Sequence, residues 1–220
     1  MFKACLFDLD GVIVDTAVYH YKAWSLVANK YGFEFTEAHN ERLKGVSRMD
    51  SLDILLEVGG KELSQEQKEK DATWKNEVYC DYISRLQPNE ILPGAVELLD
   101  DLRTRGIQIA LGSASKNAPT ILERLGLTDC FDAVIDGNKV SKAKPDPEVF
   151  LKGAAALGVP PETCIVFEDA FAGVEAAQAG GMHCVGIGSP DVLGAADWVV
   201  AGLHEVSFEK LAELFEGAAV

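Results

Sequence analysis

Phe7-Asp8-Leu9-Asp10-Gly11-Val12-Ile13-Val14-Asp15-Thr16 is the stretch on which the fold turns. Just before it, Cys5-Leu6-Phe7 forms a short apolar run that Gly11 and three aspartates stop at once, as in a buried strand of a parallel sheet. Asp8 and Asp10 then fall at the strand's carboxyl end. Open α/β sheets bind ligands at that end, and in extended backbone residues two apart project to one side. Two carboxylates directed at one spot resist joint ionisation, so they need a cation, a shared proton or full solvation. Taken alone, the pair admits two readings: a solvated acidic turn, or a site for a hard oxygen-ligated ion such as Mg²⁺.

The rest of the chain divides around this stretch. A helix capped by Asp15 or Thr16 is expected to run to about Tyr31, where Gly32 stops it. Further helices are expected at Thr36 to Lys44, from the Ser47-Arg48-Met49-Asp50 cap to Val58, and from Ser64 to about Leu86. From Pro93-Gly94 onward the pattern changes to strand-helix alternation, with strands at Ile107 to Leu111, Ala133 to Ile135, Cys164 to Phe167, His183 to Ile187 and Trp198 to Val200. Helices fall between them, and one from Ser207 to Glu216 follows the last. Short apolar strands alternating with helices imply a parallel sheet covered on both faces. The fold class is therefore α/β, a doubly wound, Rossmann-like parallel sheet with an inserted all-helical cap. Residues 1–13 and 91–220 form the core, and 14–90 the cap.

Composition narrows the function. The 220 residues are ample to bury a core, and 48% of them are hydrophobic. A net charge of −15 argues against nucleic acid or an anionic membrane as partner, since both are bound through excess Lys and Arg. Five scattered cysteines without C-x-x-C spacing suggest neither a disulfide framework nor a zinc site. With no apolar run of membrane-spanning length, and no apolar segment of signal-peptide type before Asp8, the expectation is a cytoplasmic protein.

Polar residues of a kind that phosphate chemistry uses recur after each core strand. Gly112-Ser113-Ala114-Ser115-Lys116-Asn117 can cradle an anion through hydroxyls and backbone N–H groups, or can simply turn and cap a helix. Lys142-Ala143-Lys144-Pro145-Asp146-Pro147 offers two lysines, either of which could be solvated. Glu168-Asp169 precedes a helix, where acidic caps are favourable in themselves. In the helical segment, Thr16, His20 and Trp24 share one helix face, as core packing or as neighbours of the aspartate loop. The loop Lys44-Gly45-Val46-Ser47-Arg48 reads either as an ordinary interhelical turn or as a phosphate grip.

Together these motifs resemble the haloacid dehalogenase-like superfamily of phosphotransferases: D-x-D-G at Asp8, the serine loop at Ser113, K-P-D-P at Lys144 and E-D-x-x-x-G from Glu168 to Gly173. Val12, Asp15 and Thr16, with the K-G-V-S-R loop, narrow the resemblance to the β-phosphoglucomutase branch. That resemblance implies a phosphorylated nucleophile at Asp8, an acid/base at Asp10, orienting residues Thr16 and His20, and a transfer site completed by Ser113 and Lys144. It implies Mg²⁺ held by Asp8, Asp10, Glu168 and Asp169. Substrate contacts are implied for Trp24, Lys44, Gly45, Val46, Ser47, Arg48, Lys75 and Asn76, and distal phosphate contacts for Ser115, Lys116 and Asn117. Ala170 departs from the pattern, standing where relatives often carry serine.

The implied activity interconverts β-D-glucose 1-phosphate and β-D-glucose 6-phosphate through a phospho-aspartyl enzyme, with β-glucose 1,6-bisphosphate as intermediate and activator. The expected partners are sugar phosphates, and the expected state is a monomer. Two alternatives stay open: a sugar-phosphate phosphatase of the same fold, in which water attacks the phospho-aspartate, and a non-catalytic sugar-phosphate-binding protein.

Overall fold

The computed structural model describes residues 2–216. Six parallel strands form one sheet in the order β3-β2-β1-β4-β5-β6: β1 (Ala4–Phe7), β2 (Gln108–Gly112), β3 (Ala133–Ile135), β4 (Cys164–Glu168), β5 (His183–Ile187) and β6 (Trp198–Val200). The opening strand lies in the middle, with Phe7 level with Leu111 on one side and Phe167 on the other. From β1 the chain builds outward to β3, then returns to lay β4 on the opposite side of β1. This reversal makes the carboxyl ends of β1 and β4 the crevice where ligands of such sheets bind.

The strands are buried on both faces, which explains their nearly continuous apolar sequences. Cys5, Phe7, Ile109, Leu111, Ile165, Phe167 and Val185 face one layer, and Ala4, Leu6, Ala110, Cys164, Val166 and Cys184 face the other. The first layer holds α5 (Ala95–Thr104), α6 (Ala118–Leu125) and α10 (Phe208–Glu216), and the second holds α7 (Glu148–Leu157) and α8 (Phe171–Ala179). Phe7 stacks on Phe167 with ring centroids 4.5 Å apart, and burying each ring contributes about 2–3 kcal/mol. Gly153 lets α7 lie close on the sheet, since a Cβ there would meet Leu6 at 2.8 Å.

Between β1 and α5 come α1 (Ala17–Lys30), α2 (Glu37–Glu41), α3 (Arg48–Gly59) and α4 (Gln65–Ile83). They enclose an apolar cluster of their own, in which Trp24 and Val27 meet Leu52, Leu55 and Ala72. Buried Asp71 is held by Lys30 at 2.5 Å, by Gln67 at 3.0 Å and by the Tyr31 hydroxyl. The two connections to the sheet run side by side: Leu92 N donates to Ile13 O at 2.9 Å, and Val14 bridges both Asp10 and Ile91.

Three local expectations are corrected. The second helix spans only Glu37–Glu41, because the chain then tightens through Leu43 N to Asn40 O and Lys44 N to Glu41 O and turns at Gly45, φ +74°, onto the core loop at Ala170. The long helix stops at Ile83, three residues short of Leu86. A short helix, α9 (Pro190–Leu193), was not expected; Ser189 caps it by accepting from Asp191 N at 3.3 Å.

Candidate active site

Backbone extension past the sheet sets the first carboxylate. Asp8 N donates to Phe167 O at 2.9 Å, so Asp8 continues β1 by one residue and meets the end of β4. There Asp8, Glu168 and Asp169 each offer an oxygen within 4.8 Å of the others. Lys144 enters from the loop before α7, with its ammonium 2.6 Å from Asp8 Oδ1 and 2.7 Å from Glu168 Oε2. Burial works against the lysine's charge, but Asp8 and Glu168 outweigh it and hold the group protonated above the usual lysine range. Burial, followed by Asp8, pushes Asp169 up to about 6, while Lys44 opposes the shift.

Two glycines permit this packing. A Cβ on Gly11, whose φ is +77°, would meet Asp169 Oδ2 at 2.1 Å, and one on Gly173 would meet the Glu168 carboxyl carbon at 2.0 Å. The glycine of the E-D-x-x-x-G pattern is thus the floor beneath the glutamate.

Three clustered carboxylates, two of them buried, answered by Lys144 and at the rim by Lys44, leave an excess of hard oxygen donors, which fits a divalent ion of the Mg²⁺ type. Three of the four expected carboxylates, Asp8, Glu168 and Asp169, make up this group. Glu168 already receives Lys144 on Oε2 and Ala170 N, at 3.1 Å, on Oε1, so both of its oxygens are engaged within the protein. The carboxylate of Asp10 lies outside the group, because Oδ1 receives the Thr16 hydroxyl instead. Asp8 and Asp169 are left as the side chains best placed to hold the ion.

Asp10 occupies a separate microenvironment. Burial, then the neighbouring charge of Asp8, raises its pKa to about 7, with the Thr16 bond opposing the rise. Thr16 does not cap α1 with its side chain; that hydroxyl is drawn to Asp10, and Asp15 Oδ1 accepts from Ala17 N at 3.0 Å in its place. The Tyr79 hydroxyl from α4 stands 3.0 Å from Thr16 Oγ1, and its ring lies tilted by 35° against the His20 ring with centroids 4.0 Å apart. His20 Nδ1 makes its contact with Lys75 Nζ, at 2.7 Å, rather than with Asp10. Burial, then Lys75, pushes the imidazole well below its ordinary value. A neutral ring accepting from Lys75 on Nδ1 carries its proton on Nε2.

At the other end of the cavity, Arg48 at the start of α3 donates to Asn76 Oδ1 at 2.7 Å, and Asn117 Nδ2 donates to the same oxygen at 3.0 Å. Asn76 therefore joins the helical layer to the serine loop. That loop is self-braced: Ser115 N donates to Ser113 Oγ at 3.1 Å and Asn117 N to Ser115 Oγ at 3.2 Å. Lys44 makes a second bridge, 3.4 Å from Asp169 and 3.0 Å from Glu41.

One cavity gathers Asp8, Asp10, His20, Trp24, Lys44, Gly45, Val46, Arg48, Lys75, Asn76, Ser113, Ser115, Lys116, Asn117 and Asp169. Four expected residues stand off its wall. Thr16 and Lys144 hold the wall residues Asp10 and Asp8 from behind, Glu168 in turn holds Lys144, and Ser47 caps α3 by accepting from Asp50 N at 3.3 Å. Sequence reasoning missed Tyr79, Asn40, Leu43 and Ser51. Asn40, Leu43 and Ser51 line the cavity, and only the even spacing of Lys75 and Tyr79 along α4 could have pointed to Tyr79.

A parallel α/β sheet with paired carboxylates and a buried lysine at its switch point, under a helical layer, defines a phosphoryl-transfer type of site. The chain matches the model of the haloacid dehalogenase-like hydrolase family over residues 2–181, and it belongs to that family. Within the family it is 44% identical, over 97% of its length and 96% of the relative's, to a β-phosphoglucomutase of Bacillus subtilis (strain 168). The structure matches the crystal structure of a β-phosphoglucomutase from Clostridium difficile with a TM-score of 0.95 and 44% identity, covering 99% of both chains. It is also 34% identical to a phosphorylated carbohydrates phosphatase of Thermotoga maritima, over 82% of each chain.

Proposed function

We propose that this protein is a β-phosphoglucomutase, an isomerase interconverting β-D-glucose 1-phosphate and β-D-glucose 6-phosphate. The observation that carries the reading is the 44% identity, along nearly the whole chain, with the Bacillus subtilis enzyme. The geometry supports it, because a mutase that works through a bisphosphate needs an anion site at each end of one cavity. Asp8, Ser113 and Lys144 serve one end, and Arg48, Ser115, Lys116 and Asn117 the other.

In the mechanism, Asp8 attacks the phosphorus of β-glucose 1,6-bisphosphate, the P–O bond to the sugar breaks, and a phospho-aspartate forms. Asp10 delivers its proton to the departing sugar oxygen. When a sugar monophosphate presents its other hydroxyl, Asp10 takes that proton back as the hydroxyl attacks phospho-Asp8; a pKa near 7 suits both roles. Thr16 aims Asp10, Lys144 offsets charge on Asp8 and the transferring group, and Arg48 anchors the distal phosphate. Asp8 and Asp169 would hold Mg²⁺, which would supply Lewis-acid neutralisation of the phosphoryl oxygens. Residues 14–90 act as a cap over residues 1–13 and 91–220, with Val14 and Ile91 at the two crossings. The protein works as a cytoplasmic monomer on small sugar phosphates.

The Thermotoga relative motivates a second reading, a sugar-phosphate phosphatase, in which water attacks phospho-Asp8. Phosphorus NMR of β-glucose 1-phosphate with Mg²⁺ and catalytic bisphosphate separates the two. Accumulation of glucose 6-phosphate without inorganic phosphate is expected, and chelation should stop it. Inorganic phosphate as the main product would establish the phosphatase. In the mutase, His20→Ala slows sugar attack on phospho-Asp8 more than it slows hydrolysis, since His20 matters only when the cap is closed over a bound sugar phosphate; equal slowing would make His20 a packing residue.

A further inference from the structure

Among the described residues two buried side-chain polar atoms lack a hydrogen-bond partner, Ser25 Oγ and Asn40 Oδ1. Ser25 lies within α1, where a hydroxyl can turn onto a carbonyl of the preceding turn. Asn40 has no comparable outlet. It is 6% exposed, sits on α2, and lines the same cavity as Asp8, Asp10 and Arg48. Its Nδ2 reaches toward Ala17 O at 3.5 Å, and Oδ1 is left without a protein donor.

We propose that Asn40 is a specificity-determining residue whose Oδ1 accepts a hydrogen bond from a ring hydroxyl of the bound sugar phosphate. The proposal rests on the mutase reading above and deepens it. The helical side of the cavity is rich in donors, because Lys44, Arg48 and Lys75 suit phosphate oxygens but offer a sugar O–H nothing to donate to. Two other side-chain acceptors on that side are engaged, since Asn76 Oδ1 receives Arg48 and Asn117 and His20 Nδ1 faces Lys75, while the Ser51 hydroxyl can donate as well as accept and so does not select for hydrogen on the ligand. Asn40 Oδ1 is uncommitted, and an amide oxygen can only accept. It therefore selects a ligand atom that carries hydrogen, and rejects an ether or a fluorine at the same position. An acceptor left unpaired inside the protein is unfavourable, so the site discriminates strongly against any ligand that fails to satisfy it.

The test is calorimetric binding of glucose 6-phosphate and its 2-, 3- and 4-deoxyfluoro analogues in the presence of Mg²⁺. Fluorine keeps the size and polarity of the hydroxyl but cannot donate. The unmodified protein should bind one analogue at least about tenfold more weakly than the parent, and Asn40→Ala should shrink that gap to about twofold or less. Asn40→Asp retains an acceptor oxygen and should keep the gap. Asn40→Leu, branched at Cγ like asparagine but without its polar atoms, replaces the alanine variant if that chain does not fold. The same gap in the unmodified and Ala or Leu proteins, or no gap in the unmodified protein, overturns the proposal. Loss of the gap in Asn40→Asp as well would show that the residue acts through its bond to Ala17. Failure of the unmodified protein to bind glucose 6-phosphate at all would instead overturn the mutase reading.

Discussion

Lys144 holds its ammonium 2.6 Å from Asp8 Oδ1, with 1% of the lysine side chain and 9% of the aspartate exposed. Pairing at such depth makes each partner depend on the other, because a buried charge stripped of its counter-ion is far less favourable than one left in water. Glu168, 2.7 Å from the same nitrogen, extends the dependence to a third group.

Lys144→Ala should therefore lower stability by about 3–5 kcal/mol, by leaving Asp8 and Glu168 without their cation. Urea unfolding without Mg²⁺ measures the loss. Turnover should fall with it, and a variant as stable as the unmodified protein would show that the triad is not held as an ion pair.

Arg48→Ala should cost about 2–4 kcal/mol in kcat/KM for β-glucose 1-phosphate if the guanidinium grips a desolvated phosphate. Lysine in its place should recover little, since an ammonium cannot reproduce the planar fork that also engages Asn76. Steady-state kinetics of both variants decide it, and an unchanged value would make the loop from Lys44 to Arg48 a plain turn.

Lys75 gives the pH test. Burial, then Arg48, lowers its pKa from 10.5 to about 7 in the folded protein. Between those values the unfolded chain binds a proton that the folded one does not, so stability rises with pH across the window, and the burdened state lies below about 7. Lys75→Met should thus be more stable than the unmodified protein at low pH, with the advantage fading as pH rises toward 10.5. Thermal midpoints measured in acidic and alkaline buffers check the trend, and a pH-independent difference would contradict it. The variant should also lose turnover, because His20 loses its partner.

Gly11→Ala should weaken Mg²⁺ binding by about tenfold or more. The new methyl collides with Asp169 Oδ2, and φ of +77° adds about 1–2 kcal/mol of backbone strain. Calorimetric titration with Mg²⁺ measures the first effect, and unchanged affinity would remove Asp169 from the ion's shell.

The sequence by itself determined the elements and the local chemistry at their ends. Short continuous apolar runs made Cys5-Leu6-Phe7 and Cys164 to Phe167 legible as strands, and the polar breaks after the core strands announced Asp8, Ser113 and Glu168 at one edge of the sheet. Such signals are local: a strand's period, a cap and a turn glycine act over a few residues. Resemblance then supplied roles that spacing could not, for Lys75 and Asn76 above all. Tertiary structure alone decided who partners whom. Lys144 meets Glu168 across 24 positions, His20 meets Lys75 across 55, and Thr16 meets Tyr79 across 63. It set the Thr16 hydroxyl on Asp10 rather than on the helix cap, kept the Asp10 carboxylate outside the acidic cluster, and left Asn40, on the cavity wall, with a buried oxygen unpaired. The physical reason is that hydrogen bonding, burial and pKa depend on groups brought near by packing, and no local pattern encodes which distant side chain will arrive.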